Sequence, residues 1–233
     1  MSSFWKEAMG GIQPVEVRIP CADVDLIGEL AIPDGARGVV VFAHGSGSSR
    51  HSPRNQFVAE VIRRSGNGTL LLDLLTAEEE VEDEVTACLR FDLALLAGRL
   101  REARLWLVEQ PSVHGLGIGY FGSSTGGGAA LVAAAEDREE VDAVVSRGGR
   151  ADLAGDALPM VQAPTLLIVG GYDHTVLRLN EKALAMLRCE KELRIIPGAT
   201  HLFEQPGALE MVAEMAAKWF CQHLHLHPEG AGR

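Results

Sequence analysis

A succession of short runs that are apolar almost without interruption restricts the fold of this chain more than any other feature. They are Gly38–Ala43 (Gly-Val-Val-Val-Phe-Ala), Thr69–Leu75, Leu116–Phe121, Val141–Ser146 and Thr165–Val169, with a shorter one at Leu193–Ile196. A strand with one wet face alternates apolar and polar residues, whereas a strand covered on both faces loses that alternation. Helical stretches separate the runs. Ser52-Pro53 reads as the cap and first residue of a helix reaching about Ser65. Glu78–Glu109 places Val85, Leu89, Leu93, Leu96, Leu100 and Leu107 near helical spacing, as one long helix or two abutting ones. Ala129–Ala135, Val176–Leu187 and Gly207–Leu224 complete the set. Two strands, Val15–Pro20 and Leu26–Pro33, come first and read as an antiparallel hairpin. Strands alternating with helices make an α/β fold: a doubly wound, mostly parallel sheet with helices on both faces. The ligand crevice of such a sheet lies beyond the carboxyl ends of its strands.

No linker, repeat or break in composition divides the 233 residues, so 1–233 reads as a single domain, with a core of about 15–224 and a polar, frayed tail at 225–233. At 47% hydrophobic and 23% charged, the chain can bury a large core. The formal charge of −11 argues against sequence-independent nucleic-acid binding, which needs lysines and arginines on phosphates. Cys21, Cys88, Cys189 and Cys221 are scattered without a CxxC pair, which suits free thiols in a reducing compartment. The first residues show no basic stretch followed by an apolar run, and no segment is apolar enough to span a bilayer. A cytoplasmic protein with no membrane partner is the expectation.

Every residue suited to chemistry follows one of the apolar runs. Gly122-Ser123-Ser124-Thr125-Gly126 stands between an apolar strand and a helix of small residues, the setting that a G-x-S-x-G turn requires to expose its serine. A serine hydroxyl is a weak nucleophile until a base takes its proton, and the base needs an orienting group. Asp173, in Gly170-Gly171-Tyr172-Asp173, follows the strand Thr165–Val169, and His201, in Gly198-Ala199-Thr200-His201, follows the next strand. A tetrahedral intermediate also needs donors aimed at its oxygen. The backbone N–H of Thr125 supplies one. The turn His44-Gly45-Ser46-Gly47 supplies the other through Ser46, with Gly47 as second choice.

The His-Gly turn, the elbow, Gly171-x-Asp173-x-x-Val176 and Gly-Ala-Thr-His together resemble the α/β-hydrolases, and at this size the dienelactone hydrolase-like group. The resemblance covers about residues 15–224. It implies the α/β-hydrolase fold and a Ser124–Asp173–His201 triad in the order Ser, Asp, His. Dienelactone hydrolases proper carry a cysteine nucleophile, and Ser124 stands at that position. The expectation therefore moves from the specialised lactone toward small carboxylic esters (a carboxylesterase-like serine hydrolase), with lactones, thioesters or amides as alternatives. A non-catalytic binding protein on the same fold is the reading from another class.

Only Arg147–Ala163 separates two successive strands where many relatives insert a helical cap, so no cap domain is expected. Arg50, Arg54, Arg147 and Arg150 lie at the catalytic edge as candidate substrate-binding residues for an anionic group. The competing expectation pairs them with Asp73, Asp152 or the acidic run Glu78–Glu84. That run lacks the alternating ligands of a calcium loop. His223, His225 and His227 alternate, but no metal site and no cofactor is expected. The partner is a small-molecule ester, with a homodimer compatible with the sequence.

Overall fold

The computed structural model describes residues 12–227 other than Asp23. Its strands are β1 (Val15–Cys21), β2 (Val24–Ala31), β3 (Gly38–Ala43), β4 (Gly68–Leu72), β5 (Gly117–Ser123), β6 (Ala143–Arg147), β7 (Thr165–Gly170) and β8 (Lys191–Ile196). Its helices are α1 (Pro53–Arg64), α2 (Ala77–Thr86), α3 (Leu93–Val108), α4 (Thr125–Glu136), α5 (His174–Met186) and α6 (Ala208–His223). The strands form one eight-stranded sheet in the order β1-β2-β4-β3-β5-β6-β7-β8. β1 and β2 form the antiparallel hairpin, in register from Val15 opposite Leu30 to Cys21 opposite Val24. β2 runs antiparallel to β4, and from β4 to β8 every pairing is parallel.

The uninterrupted apolar runs are explained by the period of two along a strand. Val39, Val41, Ile118, Tyr120, Val144 and Leu167 face a layer that contains Leu96, Leu100 and Leu107 of α3 and the alanines of α4. Val40, Phe42, Phe121, Val145 and Ile168 face the opposite layer, built from Val58 and Ile62 of α1 and Val212, Ala216 and Phe220 of α6. Both faces are dry, and each fully buried side chain of this size contributes roughly 1.5–3 kcal/mol.

The chain leaves β3 for β4 through α1, which packs on one face. It then returns from β4 past β3 to β5 through α3, which packs on the other. The strand order therefore reverses beside β3, and the crevice such a reversal opens lies between the ends of β3 and β5.

The stretch Glu78–Glu109 is two helices, not one. Thr76 and Glu79 form a reciprocal capping box at the start of α2, and Ala87 at φ 53° ends it. A short 3-10 turn at Leu89–Phe91 leads into α3. Val85 does not continue the buried stripe, being 88% exposed. α2 is fastened by polar contacts instead: Asp83 accepts the N–H groups of Leu89 and Arg90 and pairs with the Arg90 side chain. Between β6 and β7, residues Ala151–Met160 form 3-10 turns kinked at Gly155, with no separate cap domain. The tail is ordered further than its polarity suggests. The N–H of His227 donates to Gly115 O at 2.8 Å, and its ring lies 3.1 Å from Asp142. The His223 ring packs against Trp219 at an interplanar angle of 52°, so His223 and His227 have separate partners. Residues 228–233 lie outside the described residues. No helix among the described residues is long and apolar enough to cross a membrane.

Candidate active site

Ser124 is the residue between β5 and α4, at φ 52° and ψ −124°. This is a region that glycine occupies freely and that costs a residue with a Cβ of order 1–3 kcal/mol. Three backbone contacts hold the turn: Ser124 N–H to Arg147 O (3.3 Å), Gly127 N–H to Ser124 O (3.0 Å) and Arg150 N–H to Ser124 O (2.9 Å). The Ser124 hydroxyl makes no cap bond to its own helix. From Phe121 to Ala130, Ser124 is the one residue not buried. The helix can start this close to the sheet because Gly126 has no side chain: a Cβ there would lie 2.3 Å from Ala43 O and 2.5 Å from His44 O.

Asp173 and His201 come from the ends of β7 and β8. Gly170 lets the two loops meet, since a Cβ at that position would stand 2.4 Å from Ala199 O. Asp173 has two tasks. One carboxylate oxygen caps α5 by accepting the Val176 N–H at 3.3 Å, and the other lies 2.7 Å from His201 Nδ1. The carboxylate is mostly buried, while the imidazole is 39% exposed. An acceptor on Nδ1 fixes the tautomer that leaves Nε2 free to accept a proton. Among the described residues no hydrogen bond joins the Ser124 hydroxyl to His201. Such contacts commonly tighten only with substrate.

The turn after β3 is bound to the start of α4. Ser46 N–H donates to Thr125 Oγ1 at 3.0 Å, and the two hydroxyl oxygens are 2.8 Å apart. The amide chosen as an oxyanion donor is therefore already engaged by the neighbouring side chain. Gly47, at φ +65°, has open space around its Cα. A cavity of about 250 Å³ opens beside this turn, lined by Gly45, Ser46, Gly47 and Thr125 on one side and by Glu80, Asp83 and Arg90 on the other.

His44, which sequence reasoning noted only as part of a His-Gly pair, holds that turn in place. It is buried; its Nδ1 is 3.0 Å from Gly45 O and its Nε2 accepts the Leu74 N–H at 2.9 Å. Burial pushes its pKa below the usual histidine value, against the opposing influence of the Gly45 carbonyl and Asp73. A neutral ring is the form that donates at one nitrogen and accepts at the other.

The four candidate arginines separate into two pairs. Arg50 is tied to Asp73 and to Glu16, and Arg150 makes a bidentate contact with Asp152 at 2.8 Å. These two fix loops, and their acidic neighbours account for them. Arg54 and Arg147 have no carboxylate partner among the described residues. Among the described residues, no group of three or more histidines, cysteines or acids could hold a metal ion.

The chain is similar to several known proteins. A crystal structure of dienelactone hydrolase from Anabaena variabilis is 59% identical, covers 92% of this chain and all of its own, and superposes with a TM-score of 0.90. Est1E from Butyrivibrio proteoclasticus, 17% identical over 89% of this chain and 98% of its own, shares the fold with a TM-score of 0.75. A Mycobacterium tuberculosis protein provisionally named a phosphoribosyl transferase is 56% identical over 209 residues, 90% of this chain. The match spans only 46% of that relative's length. Residues 26–226 match the Dienelactone hydrolase family, and with the close Anabaena relative this shows that the chain belongs to it.

Proposed function

We propose that this hydrolase-family chain cleaves small carboxylic esters through an acyl-enzyme formed on Ser124, with His201 as general base and Asp173 as its orienting group. The observation that carries the reading is the strained backbone of Ser124. A serine held where glycine would be easier, at the start of a helix and with its hydroxyl free, has a conformation that packing alone does not call for. Its neighbours fit the same task.

His201 Nε2 takes the hydroxyl proton as Ser124 Oγ attacks the ester carbonyl carbon. The oxyanion forms against the N–H of Thr125, where the amino end of α4 adds favourable potential. Ser46 N–H is the second donor, the substrate oxygen competing with Thr125 Oγ1 for it. The tetrahedral intermediate collapses, the bond to the alcohol oxygen breaks, and the alcohol leaves with the proton from His201. Water then enters, gives a proton to His201 and attacks the acyl carbonyl, which releases the acid and restores Ser124.

A panel of p-nitrophenyl esters of increasing acyl length tests the proposal. Wild-type protein should release p-nitrophenol, most readily from short acyl chains given the small cavity, and Ser124→Ala should be inactive while remaining folded. Full activity in folded Ser124→Ala would overturn it. Lactones are a second reading, favoured by the Anabaena relative's name as a dienelactone hydrolase at 59% identity; the same residues would perform that reaction. The transferase name of the mycobacterial relative belongs to a protein of which this chain matches less than half.

A further inference from the structure

One loop supplies two of the backbone bonds that hold Ser124 in its strained conformation. Arg147 O accepts the Ser124 N–H and the Arg150 N–H donates to Ser124 O, so the loop Arg147–Arg150 grips the elbow from both sides. Between these bonds the loop meets the first turn of α4 with no room for a side chain. A Cβ on Gly149 would stand 3.3 Å from Gly127 Cα and 1.9 Å from Ser146 Oγ. The loop also borders the general base, since a Cβ on Gly148 would be 3.3 Å from His201 O and 3.5 Å from His201 Nδ1. A shift of this loop therefore alters the placement of Ser124 against His201.

Asn180, in α5, fixes the loop from its far side. Its Nδ2 donates to Gly149 O at 2.8 Å and to Val176 O at 2.9 Å, and the residue is fully buried. Those two acceptors set the direction of the amide, and its Oδ1 is buried without a partner among the described residues. An unpaired buried oxygen costs stability that an apolar side chain of similar size would not lose. The packing of α5 does not call for asparagine here; the bond to Gly149 does. Asp173 caps the same helix, and positions 173 and 180 lie two turns apart on one face, roughly 10 Å along the axis. Asn180 thus ties the helix that carries the orienting acid to the loop that grips the nucleophile.

We propose that Asn180 is a positioning residue for ester hydrolysis, holding the Ser124 elbow in register with the Asp173–His201 pair through Gly149. This rests on the ester-hydrolase reading. A fully buried residue acts here on the rate of the chemical step and not through contact with substrate.

The test compares Asn180→Ser, Asn180→Leu and the control Lys182→Gly on p-nitrophenyl butyrate. A serine hydroxyl can bond back to Val176 O within the helix but ends short of Gly149, so it removes the loop contact alone. Leucine keeps the bulk and removes both polar atoms. Lys182 is exposed, so Lys182→Gly loosens α5 away from the loop. Both Asn180 variants should lose at least about tenfold in kcat with KM within about twofold of wild type, and Lys182→Gly should keep both, because misplacement of reacting groups by about 1 Å slows the chemistry. A second arm needs no catalysis. In hydrogen exchange read by mass spectrometry, peptides containing Ser124 and Arg150 should exchange faster in Asn180→Ser, while those of β4 should not. An unchanged kcat in folded Asn180→Ser would overturn the proposal, even if Asn180→Leu fails to fold. So would an equal loss in Lys182→Gly, or a lowered kcat with unchanged exchange. Faster exchange without ester hydrolysis by the wild type would refute the hydrolase reading and keep the contact. Hydrolysis with wild-type kcat and exchange in the Asn180 variants would do the reverse.

Discussion

Replacing Ser124 by glycine should leave the fold more stable than replacing it by alanine, contrary to the usual order of those two residues. Both variants lack the hydroxyl, so their difference isolates the backbone. At φ 52° and ψ −124°, a Cβ costs about 1–3 kcal/mol, which glycine removes. Against this, the unfolded glycine chain has more freedom to lose, about 0.4–1 kcal/mol. The side chain is partly exposed, so little packing is lost with the methyl. The net expectation is about 1 kcal/mol in favour of glycine, or a melting temperature about 2–4 °C higher for a chain of this length. Urea unfolding monitored by circular dichroism, at equal m-values, reads the difference directly. If Ser124→Ala proves as stable as Ser124→Gly, the elbow is not strained and its backbone gives no support to a catalytic role for Ser124.

Other perturbations address the supports of the site. Gly126→Ala puts a methyl against the carbonyls of Ala43 and His44 and should cost about 3 kcal/mol, with loss of ester hydrolysis as the turn after β3 is displaced; a change under about 0.5 kcal/mol in urea unfolding would contradict the close approach. Asp173→Asn should still cap α5, because asparagine caps as well as aspartate, but lose the carboxylate that orients His201. Stability should shift by less than about 1 kcal/mol while kcat drops by about 10⁴, whereas parallel losses would make Asp173 merely structural. His44 is neutral in the fold and has a depressed pKa, so its unfolded form binds a proton first as pH falls. Its contribution is intact above about pH 6.5 and declines below it, by up to about 1.4 kcal/mol per pH unit until the folded-state pKa is reached. Urea titrations from pH 7 to 5 should show that slope in the wild type and a shallower one in His44→Gln; equal slopes would remove His44 from the account.

The parallel sheet was legible because burial on both faces erases strand alternation, and Val39 to Phe42 display this in four residues. That Glu78–Glu109 could hold two helices was legible, but where the break falls was not. Val81 and Val85 keep helical spacing with the leucines that follow, yet they are exposed, and the chain turns at Ala87 on polar contacts of Asp83 that have no periodic signature. Strand ends suggested where Ser124, Asp173 and His201 would gather, and Asp173 does meet His201. The role of His44 was hidden because its partners, Gly45 O and Leu74 N–H, are backbone groups brought together by the pairing of β3 with β4. The arginines show the same limit: four cations near one edge look alike in sequence. Only folding shows that Arg50 and Arg150 have acids beside them while Arg54 and Arg147 do not.

Covalent labelling tests the central claim most directly. Wild-type protein treated with a fluorophosphonate at neutral pH should gain one adduct by intact-protein mass spectrometry, mapped to the peptide containing Ser124 and missing from folded Ser124→Ala. An adduct on another residue, or equal labelling of Ser124→Ala, would contradict the assignment of Ser124 as the nucleophile.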